Sequence, residues 1–186
     1  YDIDVTGAAT RSETTGTVAL TQEIIDAGEQ ITIVEGGRTV NFKTVAGTSV
    51  RQTLNQLADA IKSAGTNVEL VRDNSAGQNK NGPQTLTVRH TEYGSDAKFQ
   101  VSSNTGGLLS DVANVSRSVK NGLDITGEIA DEEAVGKGQI LTGAGGFGSK
   151  AQGISIRYDG DYAPPLGQRA GTITFTQNSL SFQIGG

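Results

Sequence analysis

Short stretches in which apolar and polar residues alternate run through the first 103 residues of the chain. This two-residue period is typical of strands that bury one face. The strands predicted in this part cover residues 1–6, 31–34, 39–42, 67–71, 85–89 and 97–101. Gly36 and Gly37 can supply the positive φ angles of a two-residue turn, so residues 31–42 are predicted to form a hairpin. Residues 7–16 are predicted to be a loop, residues 17–25 fit either a strand or a short turn, and residues 73–83 form a polar loop.

One stretch of this first part has the 3.6-residue period of a helix. Its apolar stripe consists of Val50, Leu54, Leu57, Ala58 and Ile61. Ser49 precedes the stripe at the N-cap position, and Gln52 three residues later completes the pattern of a capping box. Gly65 follows at the position where a glycine closes a helix. The sequence therefore predicts an amphipathic helix over about 49–64, packed on antiparallel strands.

Beyond residue 103 the pattern is different and mostly extended. Residues 108–119 have a loose helical spacing of apolar residues, although Asn114 and several serine and aspartate residues disfavour a helix there. The strands predicted in this part cover residues 123–126, 139–142, 153–158, 171–175 and 179–184, and Gln177-Asn178 fits a tight hairpin. The predicted fold class is therefore α+β and β-rich, with an α+β subdomain over 1–120 and a mostly β subdomain over 121–186.

Composition excludes several kinds of site. The 186 residues contain no cysteine, no methionine and a single histidine, His90. A disulfide framework, a cysteine nucleophile and a Cys- or His-rich metal site are therefore excluded. The net charge of −5 argues against a nucleic-acid partner, and no apolar run approaches the roughly 18 residues of a membrane span. Because the chain lacks methionine and opens within a strand pattern, we expect it to be a piece of a longer protein.

Two patterns could bind a ligand, and each has a simpler structural interpretation. Residues 143–148 match G-x-G-x-x-G, but another predicted strand follows instead of the helix that a dinucleotide site requires, which favours a flexible loop between strands. The acidic stretches 131–133 and 159–161 lack the spacing of a twelve-residue calcium loop, so we interpret them as solvated acidic turns. No cofactor-binding or metal-binding residue is assigned.

His90 is the one candidate for a general base. Glu92 could orient its ring if the strand persists, because residues two apart share a strand face. An exposed or hydrogen-bonded strand histidine is the favoured interpretation, and the chain has no G-x-S-x-G sequence to support a serine triad. We therefore predict that no concave pocket with perturbed acids lies near His90 or Asp159, assign no catalytic residue and expect that the chain is not an enzyme.

The order of several motifs resembles that of bacterial flagellar proteins. The helix and its flanking strands resemble the flagellin hook IN motif, which would cover about residues 29–103. The segments that carry this resemblance are 42–46, 54–62, 68–70 and 84–88. Residues 1–6 resemble the strand that enters such domains, residues 122–143 resemble a segment of long outer domains, and residues 178–185 resemble the stretch where flagellin returns to its filament core.

This resemblance implies a structural role. The main interpretation is the surface-exposed outer domain of a flagellin, secreted and serving motility as part of the extracellular filament. Its partners would be other flagellin subunits, contacted through the parent chain, with O-glycans on surface serine and threonine residues as a further possibility. The resemblance implies no cofactor, nucleic acid or membrane partner. The alternatives are a domain of the filament cap protein (hook-associated protein 2) and a carbohydrate-binding or adhesin module.

Overall fold

The computed structural model describes residues 1–72, 82–165, 168–172 and 174. Within these residues the chain forms two helices and three antiparallel sheets, so the predicted β-rich α+β class is confirmed. The elements are β1 (Asp2–Gly7), β2 (Arg11–Leu20), α1 (Gln22–Asp26), β3 (Gln30–Glu35), β4 (Arg38–Lys43), α2 (Val50–Ser63), β5 (Val68–Val71), β6 (Gln84–Tyr93), β7 (Phe99–Ser103), β8 (Arg117–Ser118), β9 (Thr126–Ile129), β10 (Glu132–Lys137), β11 (Ile140–Gly143), β12 (Ser155–Arg157) and β13 (Gly171–Thr172).

The elements from β2 to β8 make up what we call the first lobe. It contains a three-stranded sheet in the order β2-β6-β5 and a four-stranded sheet in the order β4-β3-β7-β8. Helix α2 lies against β4 and β5, one strand from each sheet. Its residues Leu57 and Ile61 share a buried cluster with Ile33 and Val88, as the apolar stripe predicts. The core of the first lobe is thus a helix closed over two sheets.

The residues predicted to begin and end α2, and those predicted to form the turn of the first hairpin, have the expected geometry. The Ser49 hydroxyl accepts a hydrogen bond from the Gln52 amide at 3.3 Å, which caps the first turn of α2. Gly65, just beyond the helix, has a φ of +66°. Gly36 and Gly37 have φ angles of +55° and +78°, as a type I′ turn between β3 and β4 requires.

What we call the second lobe is a six-stranded sheet in the order β12-β11-β10-β9-β1-β13. Strand β1 belongs to it, because Ile3 pairs with Ile129 of β9 and also with Gly171 of β13. One face of this sheet buries a second apolar cluster, which includes Ile3, Ile129 and Leu141. The described chain therefore runs from the second lobe into the first and back to the second. The boundary at residue 120 between the two predicted subdomains stays a prediction.

The predicted loop over residues 7–16 is wrong, because β2 begins at Arg11. The alternation of apolar and polar residues does not reveal this strand, because the first residues that it buries are polar. Ser12 and Thr14 are buried, and their hydroxyls bond to the Lys120 carbonyl and to the Arg117 guanidinium. The ambiguous stretch that follows contains the end of β2 and helix α1, whose first turn is capped by the Thr21 hydroxyl.

The weak helix predicted over residues 108–119 is absent, and the segment consists of turns and the short strand β8. The side chains of Ser103 and Ser110 instead tie the start of this segment to the end of β7. Ser103 Oγ accepts from the amides of Leu109 and Ser110 at 3.3 and 3.2 Å, and Ser110 Oγ accepts from the Ser103 amide at 3.1 Å. Asn114 adds a φ of +61°, which no α-helix contains.

Several expectations fall on residues outside the described ranges. These are most of the polar loop at 73–83, the tight hairpin at Gln177-Asn178 and the strand at 179–184. The predicted strand at 171–175 is represented by β13. Neither described helix is long and apolar enough to cross a membrane.

Candidate functional site

A groove of about 890 Å³ opens where the two lobes meet. The first lobe contributes Arg11, His90 and Tyr93 to its walls, and the second contributes Lys137 and Arg157. The prediction that no concave pocket with perturbed acids lies near His90 or Asp159 is therefore wrong for His90, because the groove also contains Asp124, whose pKa is lowered. The sequence could not indicate this groove, because its walls come from strands and turns that are distant in the chain.

His90 lies at the floor of the groove and is 2% exposed. Its Nδ1 accepts the Glu92 amide hydrogen at 3.0 Å, and its Nε2 lies 3.5 Å from Oε1 of Glu35. The other Glu35 oxygen accepts from the Asn67 amide at 3.0 Å. The carboxylate beside the ring is thus Glu35, at the end of β3, and Glu92 contributes its backbone instead. With both nitrogens engaged, His90 links β6 to β3 and has no free lone pair to act as a base.

A charged network extends from the rim of the groove across the β2-β6-β5 sheet. The Arg11 guanidinium lies 4.4 Å from the centroid of the Tyr93 ring and 3.2 Å from Glu69. Arg89 binds the same Glu69 oxygen at 2.7 Å. Arg89 also lies 3.9 Å from Glu13, so two guanidinium groups face two carboxylates within the first lobe. These paired charges orient the wall of the groove more than they present a free charge to a ligand.

Asp124 is the most densely bonded acid of the groove. Its Oδ1 accepts from the amides of Ser95 at 3.1 Å and Gly138 at 2.8 Å, and its Oδ2 accepts from the Ser95 hydroxyl at 2.5 Å. Burial raises the pKa of this carboxyl, but the hydrogen bonds from Ser95 and Gly138, with the charge of Lys137, outweigh burial and hold the pKa below its usual value. The sequence placed Asp124 inside a strand predicted over residues 123–126, of which only Thr126 lies in a strand, and indicated no role for it.

The lowered pKa of Asp124 predicts a pH-dependent contribution to stability. Protonation favours the unfolded chain, since the carboxyl binds a proton more weakly when folded. The stabilisation is therefore complete above the unfolded value of about 4 and is lost as the pH falls through the lower folded value. Denaturant unfolding between pH 2 and 7 should show Asp124→Asn to be less stable than the parent chain at pH 7, with the difference shrinking below about pH 4. A difference that stays constant down to pH 2 would contradict this assignment.

The glycine-rich loop at residues 143–148 connects β11 to further turns and then to β12, not to a helix. The dinucleotide interpretation therefore lacks its structural context, as the sequence indicated. Phe147 is fully exposed at the tip of this loop. The base of the loop is held by Glu132, which accepts from the Ser149 hydroxyl at 2.5 Å and the Lys150 amide at 3.0 Å. Glu132 of the acidic stretch is thus a loop anchor and not a solvated turn residue, and these hydrogen bonds lower its pKa.

The remaining acidic candidates do not gather into a metal site. Asp131 has a φ of +62° in the turn between β9 and β10, and Asp159 pairs with Arg157 at 2.7 Å. Among the described residues, no group of three or more histidine or acidic side chains has a geometry that could hold a metal ion.

Comparisons with known proteins identify a shared fold. No family model matches the chain, and no curated protein matches its sequence. Among solved structures, the D2–D3 domains of the flagellar cap protein FliD from Escherichia coli match with a TM-score of 0.51 and 17% identity, over 76% of this chain and 75% of that one. The D2–D3 domains of the cap protein from Serratia marcescens match with a TM-score of 0.50 and 15% identity, over 88% and 89%. The chain spans 40% of the length of the three-domain D1-D2-D3 structure from Escherichia coli, at a TM-score of 0.48 and 17% identity. The two-lobed architecture is therefore the fold seen in the D2–D3 region of flagellar cap proteins.

Proposed function

We propose that this chain is the outer two-domain region of a flagellar filament cap protein. The observation that carries the proposal is the fold likeness to the D2–D3 domains of such a protein, which extends over 88% of this chain and 89% of the other. The order of motifs resembling the flagellin hook IN region supports a flagellar protein independently, because it depends on sequence alone.

The cap interpretation replaces the flagellin interpretation as the leading one. Flagellin was favoured by residues 178–185, which resemble the return to the filament core, and these residues lie outside the described ranges. The structural likeness is to cap domains, so it supports the alternative better than the main interpretation. The carbohydrate-binding interpretation has no specific support from the groove, because its charged residues pair largely with one another.

In this proposal the chain has a structural role outside the cell, at the tip of a flagellar filament. Its partners are other flagellar subunits, and the parent chain supplies further contacts. The groove supports a non-enzymatic role, since the polar atoms of His90 and Asp124 already contact neighbouring backbone and side-chain groups. O-glycans on surface serine and threonine residues remain a prediction.

Immunogold electron microscopy distinguishes a cap from a filament subunit. Antibodies raised against this 186-residue chain would be applied to intact flagella of the source bacterium. We expect gold particles at the distal tip of each filament and not along its length, because a cap occupies only the growing end. The control is an antibody against the major filament protein, which should label the whole length.

Two results would contradict the cap proposal. Labelling along the entire filament would restore the flagellin interpretation. An absence of label on flagella, with label elsewhere on the cell surface, would reject a flagellar role and favour the adhesin alternative, which glycan-array binding would then test. Antibody absorbed beforehand with the purified chain should label nothing in either case.

A further inference from the structure

Two connecting segments run side by side where the lobes meet. Residues 8–10 lead from β1 in the second lobe to β2 in the first, and residues 119–125 lead from β8 back to β9. The Thr10 amide donates to the Leu123 carbonyl at 2.9 Å, and the Leu123 amide donates to the Thr10 hydroxyl at 2.8 Å. Two short connections that lie side by side and run in opposite directions can serve as a hinge, about which domains rotate through changes in a few backbone angles.

Asp124 lies at the end of the second connection and binds both lobes at once. It accepts the Ser95 amide and hydroxyl from the turn after β6 in the first lobe, and the Gly138 amide from the turn between β10 and β11 in the second. Hydrogen bonds to an ionised carboxylate are roughly twice as strong as those between neutral groups. A single side chain thus ties a turn of each lobe to the hinge.

The two turns are also in close backbone contact at this point. Gly94 has a φ of +105°, and a Cβ built there would lie 2.8 Å from the Gly138 Cα, closer than real Cβ atoms approach. The Gly94 amide in turn donates to the Thr10 carbonyl of the first connection at 2.9 Å. The glycine therefore lets the carboxylate reach amides of both turns.

The other polar contact between these turns is weaker. Lys137 lies 3.5 Å from Asp96, and both side chains are about four-fifths exposed. Exposed pairs of this kind contribute about 0–1 kcal/mol. The main apolar contact across the joint is Tyr93, which packs partly buried against the cluster of the second lobe. The hydrogen bonds of Asp124 are therefore the strongest directional restraint on the angle between the lobes.

We propose that Asp124 is a latch that fixes the angle between the two lobes and so sets the opening of the groove between them. Because the groove is lined from both lobes, rotation about the paired connections changes its width. With the latch closed, the lobes hold one relative orientation; with it broken, they rotate about residues 8–10 and 119–125. This inference concerns the geometry of the chain and does not depend on the proposed cap function.

Distance measurements between the lobes test the latch, and the absence of cysteine makes labelling specific. Spin labels would be attached at Thr39→Cys in the first lobe and Val135→Cys in the second, both at exposed strand positions. Double electron–electron resonance should give one narrow distance distribution for the parent chain. Asp124→Asn should at least double the width of that distribution while circular dichroism shows that both lobes remain folded.

Asp26→Asn is the matched control. Asp26 also accepts a backbone amide, from Gly47 at 2.8 Å, and its pKa is lowered by that bond, but it lies wholly within the first lobe. Its replacement should leave the interlobe distribution unchanged. An unchanged distribution for folded Asp124→Asn would overturn the proposal. If Asp124→Asn does not fold, Asp124→Glu decides, because it keeps the charge but displaces the carboxylate by one methylene group from the Ser95 and Gly138 amides: a broader or shifted distribution supports the latch, and an unchanged one overturns it.

Discussion

Replacing Leu57 by alanine is expected to lower the free energy of unfolding of the first lobe by about 2–5 kcal/mol, the range for a fully buried leucine. Leu57 is 0% exposed and lies at the centre of the α2 stripe. Its side chain fills the space between the helix and the two sheets, so truncation removes buried apolar contacts and leaves a cavity in a densely packed interior. Denaturant unfolding followed by circular dichroism measures this loss. The slope of the unfolding free energy against denaturant concentration should be unchanged.

Leu123→Ala is the matched control for this prediction. Leu123 is 59% exposed in the connection between the lobes, so the same truncation there should change the unfolding free energy by less than about 0.5 kcal/mol. A Leu57→Ala chain as stable as Leu123→Ala would mean that α2 does not close over the two sheets as described. Hydrogen exchange should place the loss in α2, β4 and β5, because these elements pack together.

Replacing Gly136 by alanine is expected to destabilise the second lobe by about 3 kcal/mol, at the upper end of the usual range for an overpacked site. Gly136 lies in β10, and a Cβ at this position would collide with the backbone carbonyl of Ile125 and approach its side chain. A backbone oxygen cannot rotate away as a flexible side chain can. The chain segment before β9 would therefore have to move away from β10, which breaks contacts of the second cluster.

Gly145→Ala is the control for this substitution. Gly145 lies in the loop after β11, has no atom within 4 Å of a built Cβ, and does not require a positive φ angle. The same methyl group should therefore be tolerated there, with a thermal midpoint within a few degrees of that of the parent chain. Equal midpoints for Gly136→Ala and Gly145→Ala would contradict the close packing of residue 125 on β10. Since Gly136 packs on Ile125 of the second cluster and Leu57 belongs to the first, their effects should add in a double variant.

Elements with a local physical cause were predictable. The hairpin of β3 and β4 depends on two adjacent glycines that both adopt positive φ angles. Helix α2 depends on an apolar stripe, a serine cap and a terminal glycine, all within 17 residues. In both cases the residues that specify the structure are neighbours in sequence, so tertiary packing reinforces a preference that the segment already has.

Elements whose hydrogen bonds go to distant segments were not predictable. Strand β2 has polar residues at its inward positions, and they are satisfied by Lys120 and Arg117, about a hundred residues away. The 108–119 segment has helical spacing, but its Ser110 hydroxyl bonds to Ser103 of β7 and its Arg117 guanidinium donates to Thr14 of β2, about a hundred residues earlier. A pattern of apolar residues contains no information about such partners.

The groove shows the same division between sequence and structure. From the sequence, His90 and Glu92 were the natural pair, because strand residues two apart share a face. The structure instead places Glu35, 55 positions earlier, beside the ring, since β3 and β6 belong to different sheets of one lobe. Asp124 acquires its role only because the turns after β6 and β10 meet at the connections between lobes.

The sequence by itself determined the fold class, helix α2, the first hairpin and the exclusion of cysteine-based chemistry, because these depend on composition or on neighbouring residues. Tertiary structure alone decided that β1 joins the second lobe, that a groove lies between the lobes and that Asp124 binds a turn from each. These features require segments that are far apart in the chain to meet, and that meeting is set by how two sheets and a helix bury their apolar faces together.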